Sequence, residues 1–272
     1  MRPKKKRKAS VTIIGAVIGA VAIVVGAILT PVVQHWLETP RNTSNVEAKI
    51  DPVVEYFPLF VGSTRTYTVG GTTPTVGGGP TVITNSTYTE KVIMVTSGSN
   101  DNIRIYKVEQ TGGEIYDMDC TGFGTITPPA EKWYVTDKLH VYAACSQDEL
   151  GIIIDGLMKR IYSGTPTSSS TGSTAILTFP LEVGNKWSAF GDLPLPDDEI
   201  SYSWYVEEML DYSVPAGKFK DCYRIVLYTA SGTNIRYFCN GIGSVAMEYH
   251  HNGMPVDFRV ELSSFSLNSN QP

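Results

Sequence analysis

The hydrophobic pattern of this chain changes character twice. From Val11 to Leu29 the sequence is apolar without a break, with Thr12 as its one hydroxyl and no charged residue. Nineteen residues in a helix make about 28 Å, close to the roughly 30 Å hydrocarbon core of a bilayer. This run predicts a transmembrane helix over residues 11–29. Residues 38–54 are polar with two prolines, as suits a tether, and a linker is expected over residues 30–54. Beyond them, short segments rich in Val, Ile, Thr and Tyr alternate apolar with polar, and Gly, Asn, Asp and Pro separate them. Examples are "TRTYTV", "NIRIYKVEQT", "KWYVTDKLHVYAAC", "DCYRIVLYTA" and "DFRVELSSFSL". The pattern predicts an all-β domain over residues 55–268. "QDELGIIIDGLMKRI" comes nearest to a helical period, but two glycines break it, and "GIIIDGLMKRIYS" reads as one more β-rich run.

Charge sets the orientation of the first element. Six of the first eight residues are Lys or Arg. A PKKKRK run alone reads as a nuclear-import signal, but beside an apolar span it marks the cytoplasmic flank. Residues 1–10 are therefore expected inside and everything after Leu29 outside, in a single-pass cell-membrane protein. Cleavage after Ala20-Val21-Ala22, a small-x-small site, is the rival reading. Gly15 and Gly19, followed by Ala22 and Gly26, have the small-xxx-small spacing that lets two membrane helices approach closely. They are candidate packing residues of a transmembrane homodimer, although such spacing is also ordinary span composition. Removing the six N-terminal charges leaves 16 Lys and Arg against 27 Asp and Glu, a balance of −11. No nucleic-acid partner is expected from that balance.

An extracytoplasmic location changes the meaning of Cys120, Cys145, Cys222 and Cys239, which then read as two disulfides. Local order pairs Cys120 with Cys145 and Cys222 with Cys239. The second pair flanks "CYRIVLYTASGTNIRYFC", a hairpin pattern that would bring its ends together. No CxxC spacing or nearby histidine suggests a metal.

Two low-complexity stretches, residues 69–81 and 163–174, read as flexible hairpin tips. Asn42 and Asn85 head glycosylation sequons. "FPLFVGSTRTY" (57–67) and "FPLEVGNKWSA" (179–189) share F-P-L-x-V-G, which suggests two related β-modules or one sheet entered twice by one device. With "YSVPAGKFKDCYRI" and "YFCNGIGSVAMEY", these motifs resemble a widespread family of prokaryotic extracytoplasmic β-proteins. Its pattern is approximately FPLxxGxxW, then VPAGxF, then GxG. The resemblance covers roughly residues 55–265. It implies a curved antiparallel sheet similar to the half-barrels of lipoprotein carriers, with an apolar concavity. Arg65 departs from the pattern, standing where the family has Trp, whereas Trp187 keeps it.

Chemistry is sparse. His250 and His251 are adjacent and would face opposite sides of a strand. Asp117 and Asp119 would share one strand face, with solvent as the default. Asp197, Asp198 and Glu199 form an acidic loop without calcium-site spacing. Gly241, Gly243 and Ala246 loosely match a dinucleotide fingerprint, but a strand rather than a helix is expected to follow. No catalytic residue, cofactor or metal site is assigned. The sequence points to a membrane-anchored binding or scaffold protein, with an apolar ligand or lipid on a concave sheet as its first specific form. A protein-partner module and an extracytoplasmic hydrolase are the alternatives.

Overall fold

The structure is a computed structural model that describes residues 53, 56–74, 80–98, 102–113, 119, 130–163, 175–189, 202–253 and 257–268. The chain divides into a unit over Met1–Glu47 and a larger unit over Ala48–Pro272. The apolar span 11–29, its packing residues Gly15, Gly19, Ala22 and Gly26, the tether and Asn42 lie outside the described residues. Among the described residues, no helix is long and apolar enough to cross a membrane.

Among the described residues, the larger unit contains twelve strands. The first six are β1 (Thr64–Pro74), β2 (Pro80–Ser97), β3 (Arg104–Gly112), β4 (Ala130–Thr136), β5 (His140–Ala144) and β6 (Ala175–Thr178). The others are β7 (Lys186–Ser188), β8 (Ser203–Val214), β9 (Gly217–Tyr228), β10 (Gly232–Cys239), β11 (Gly243–His251) and β12 (Asp257–Ser266). One helix, α1 (Gln147–Ser163), joins β5 to β6. All twelve strands form a single antiparallel sheet, ordered β6-β5-β4-β3-β2-β1-β12-β11-β10-β9-β8-β7. The sheet curls into a nearly closed barrel rather than the expected half-barrel. Its terminal strands are tied by the Trp187 indole, whose Nε1 donates to Ala175 O at 3.0 Å.

The strand order consists of two six-stranded meanders, β1–β6 and β7–β12, joined by the β1–β12 pair. The repeated F-P-L-x-V-G motif opens each one with the same hydrogen bonds. Gly62 N donates to Val92 O at 2.7 Å, and Gly184 N to Val206 O at 2.8 Å. Val92 N returns to Ser63 O, and Val206 N to Asn185 O. Gly62 and Gly184 have φ of 87° and 95°, a left-handed backbone that favours glycine. A register shift follows Val92 in β2 and Val206 in β8. The repeat is therefore one sheet entered twice by one device, each entry leading into six strands.

Alternation along the strands separates an inner from an outer face. On β2, Tyr88, Glu90 and Val92 are buried while Lys91 and Ile93 are exposed. Rings from both entry motifs meet inside: Phe57 lies 5.2 Å from Tyr134 and 5.9 Å from Phe238, and Phe179 lies 5.9 Å from Phe238.

The outer face is covered differently in the two halves. In the first, Leu150, Ile153 and Leu157 of α1 pack on Ile103, Ile105, Trp133, Val135 and Tyr142. In the second, the tip of the β8–β9 hairpin takes that role. Tyr212 stacks on Tyr237 at 3.8 Å, Phe219 meets Phe265, and Ala216 N bonds Leu262 O.

Two expectations are corrected here. The segment read as β-rich, "GIIIDGLMKRIYS", is helical. Ser146 Oγ accepts the Glu149 N–H, and the Glu149 carboxylate accepts the Cys145 N–H, a reciprocal cap at the N-terminus. Its two glycines interrupt nothing, because Leu150, Ile153 and Leu157 keep one apolar face. The stretch from residue 69 is not a loose tip throughout. Val69–Pro74 belongs to β1 and pairs with β2 as far as Pro74 opposite Pro80. The second low-complexity stretch lies outside the described residues beyond Ser163.

Candidate functional site

The barrel interior carries an ionic layer that the sequence reading did not foresee. Lys132 and Arg236 occupy matching positions in the two halves. Val92 is opposite Val108, which is opposite Lys132; Val206 is opposite Ile225, which is opposite Arg236. Both cations are buried, at 2% and 1% exposure, where an unpaired charge would cost several kcal/mol. Each has a carboxylate and an aromatic face. Lys132 Nζ is 2.6 Å from Glu90 Oε1 and lies over the Tyr134 ring. Arg236 pairs with Asp119, lies over the Trp204 ring and donates to Ile176 O.

The carboxylates are arranged unequally. Glu90 belongs to the first half, in the position that Trp204 holds in the second. Gln110 Nε2 donates to Glu90 Oε1 at 3.0 Å. Asp119, between β3 and β4, reaches from the first half to the cation of the second and accepts from Tyr134 OH at 3.3 Å. Its side chain is buried, so the solvent-facing default for Asp119 is corrected. The compensating partner, Arg236, is 117 residues away and has no local signature. Asp117 and the acidic loop 197–199 lie outside the described residues.

A third buried cation completes the layer. Arg65 uses Nη2 to bond Pro58 O at 2.6 Å, and Nε and Nη2 to bond Ile242 O. Its guanidinium also lies 5.5 Å from the centre of the Phe57 ring. The Arg for Trp departure was thus a visible sign of an interior polar site. Arg65, Tyr67, Glu90, Asp119, Lys132 and Tyr134 line a small cavity of ≈ 10 Å³. Tyr67 donates to Ser244 O, and burial, reinforced by the Glu90 charge, pushes its phenol well above the usual range. The site therefore holds fixed charges and a protonated phenol, a set suited to binding a small polar molecule or to fixing the sheet.

Two histidines have carboxylate partners near the surface. His140 Nδ1 lies 2.9 Å from Asp137 Oδ1. His250 lies between Asp257 at 3.0 Å and Glu248 at 3.4 Å, at the end of β11. Gly243 and Ala246 also fall on β11, so a strand follows the loose fingerprint. Cys222 and Cys239 are bonded as expected, directly opposite each other in the β9–β10 pair with Cα atoms 4.1 Å apart. Cys145 is also disulfide-bonded, and Cys120 lies outside the described residues.

These features define a nearly closed twelve-stranded antiparallel barrel, made of two like halves that share an ionic core. Two solved structures are similar to it. One is a candidate exported protein with a YmcC-like fold from Bacteroides fragilis, with 11% identity and a TM-score of 0.41, covering 78% of this chain and 98% of that one. The other is a candidate lipoprotein from Parabacteroides distasonis, with 10% identity and a TM-score of 0.38, covering 78% of this chain and 99% of that one. No family model matches the chain, and no curated protein does.

Proposed function

We propose that this chain is a membrane-anchored binding or scaffold module displayed outside the cytoplasm, with the barrel as a rigid body presented to protein or envelope partners. The apolar span and its basic flank support the anchor, and the bonded cysteines fit an oxidising compartment. The filling of the barrel carries the scaffold reading. Phe57, Tyr134, Phe179 and Phe238 pack together on the inner face, and the Arg65, Glu90, Lys132 and Asp119 layer adjoins them. A lipid held inside would have to displace those rings and lie against desolvated charges.

The apolar-ligand reading makes a different prediction for one experiment, native mass spectrometry of the full chain extracted from its membrane. A scaffold gives the bare protein mass, lowered by four hydrogens for two disulfides. A retained lipid that leaves on activation would establish the carrier reading instead. Phosphatase fusions at either end test topology, and an active N-terminal fusion would sink the anchor orientation.

A further inference from the structure

Within the ionic layer, Arg65 keeps an unused donor group and Glu90 an unused acceptor, and both residues face the same cavity. Arg65 uses Nε and Nη2 on the carbonyls of Pro58 and Ile242. Among the described residues, its Nη1 has no hydrogen-bond partner and Arg65 has no carboxylate within ion-pair distance. Glu90 uses Oε1 on both Lys132 Nζ, at 2.6 Å, and Gln110 Nε2, at 3.0 Å. Its Oε2 has no such partner. Arg65 is 4% exposed and Glu90 7%, so bulk water does not solvate them freely.

Opposite charges so placed need a bridge. A buried charged group with an unused hydrogen-bond position is costly, and a direct contact is not made. The cavity of ≈ 10 Å³ is near the lower limit for one water and far too small for an organic ligand. A buried water needs two to four polar partners. Arg65 offers a donor, Glu90 an acceptor, and the Tyr67 oxygen, already donating to Ser244 O, retains lone pairs. A chloride fits less well, since Glu90 and Asp119 line the same space and would repel it.

We infer that this cavity is a binding site for one ordered water, which accepts from Arg65 Nη1 and donates to Glu90 Oε2. The water converts two separated charges into a bridged pair. It extends the Lys132–Glu90 pair to Arg65, and so links the turn that opens β1, through Pro58, to the turn before β11, through Ile242. The site is specific to the first half, since Trp187 and Trp204 stand where Arg65 and Glu90 do in the other.

The test is a high-resolution crystal structure of the full chain in a lipidic phase, with a parallel bromide soak. The expected result is one density peak within hydrogen-bond distance of Arg65 Nη1 and Glu90 Oε2, with no anomalous signal. An anomalous bromide peak would make the cavity an anion site and overturn the proposal, as would absent density. The Glu90→Met variant should lose the peak, and its persistence there would show that the carboxylate does not hold the water. If that variant fails to fold, the density in the unmodified protein still decides.

Discussion

Arg65 and Trp187 occupy the same position in the two halves of the barrel, and each donates a side-chain N–H to a backbone carbonyl. Arg65 bonds Ile242 O and Pro58 O; Trp187 bonds Ala175 O at 3.0 Å. The equivalence holds a difference. Arg65 is buried within the continuous β1–β12 side of the barrel, whereas Trp187 bridges the two free sheet edges. Arg65→Met should leave two carbonyls without their donor and cost about 2–4 kcal/mol, since hydrogen bonds from charged donors contribute more than neutral ones. Trp187→Phe removes one bond and should cost about 1 kcal/mol. Urea denaturation of both variants checks the order, and an equal loss would contradict the distinction.

Glu90 and Lys132 form the best-defined buried pair. Removing one partner takes the closest counter-charge from the other in a desolvated place, so Glu90→Leu or Lys132→Met should each cost about 3–5 kcal/mol. The double variant should be more stable than the sum of the two losses implies, because neither charge is then left alone. A thermodynamic cycle measures this coupling, and additive losses would show that the pair is not a unit.

The Cys222–Cys239 bond closes a separation of 17 residues across a hairpin. Replacing both cysteines by Ala should lower stability by about 3 kcal/mol. The strands should still pair, because their register continues to Thr233 opposite Tyr228. Unfolding curves give the first effect, and amide-exchange protection within β9 and β10 checks the second.

Asp137 makes the turn between β4 and β5 sensitive to acid. Burial pushes its carboxyl upward, but the His140 ring and the Leu139 and His140 N–H groups outweigh that and hold it below its ordinary value. A lowered folded-state value means that the contribution is complete above the unfolded value of about 4 and is lost as pH falls through the folded one. Asp137→Asn should therefore flatten part of the acid limb of the stability profile. A profile that superimposes on that of the unmodified chain would show that Asp137 does not contribute.

The helix offers a test in the stabilising direction. A Cβ added at Gly151 or Gly156 would meet nothing within 4 Å. Each Gly→Ala change should add about 0.5–1 kcal/mol, since glycine costs a helix backbone entropy. Ser146→Ala should remove about 1 kcal/mol by deleting the cap. Thermal melts of the three variants would separate these signs.

Much of the architecture was determined by local sequence. Alternation named most strands, because a half-buried strand shows period two wherever one face meets solvent. The F-P-L-x-V-G repeat announced a doubled entry, since a buried Leu followed by a left-handed glycine is a local requirement, although Val183 proved exposed rather than inward. The Cys222–Cys239 hairpin was legible because both its strands and its turn lie within one short segment. The helix was also local, but the sequence reading rested on its two glycines, which carry no tertiary penalty, and passed over the Ser146 and Glu149 cap. Other properties had no local trace. Closure rests on Trp187 meeting Ala175, and whether a curved sheet stops at half a barrel depends on contacts between its farthest strands. The ionic layer is the clearest case. Glu90 and Lys132 each read as ordinary alternating strand positions, and Asp119 as a solvent-facing one, because nothing in a single strand says which side of the sheet will be enclosed. Only the curling of twelve strands, which brought Asp119 to Arg236 and Glu90 to Lys132, turned charges suited to water into a paired interior.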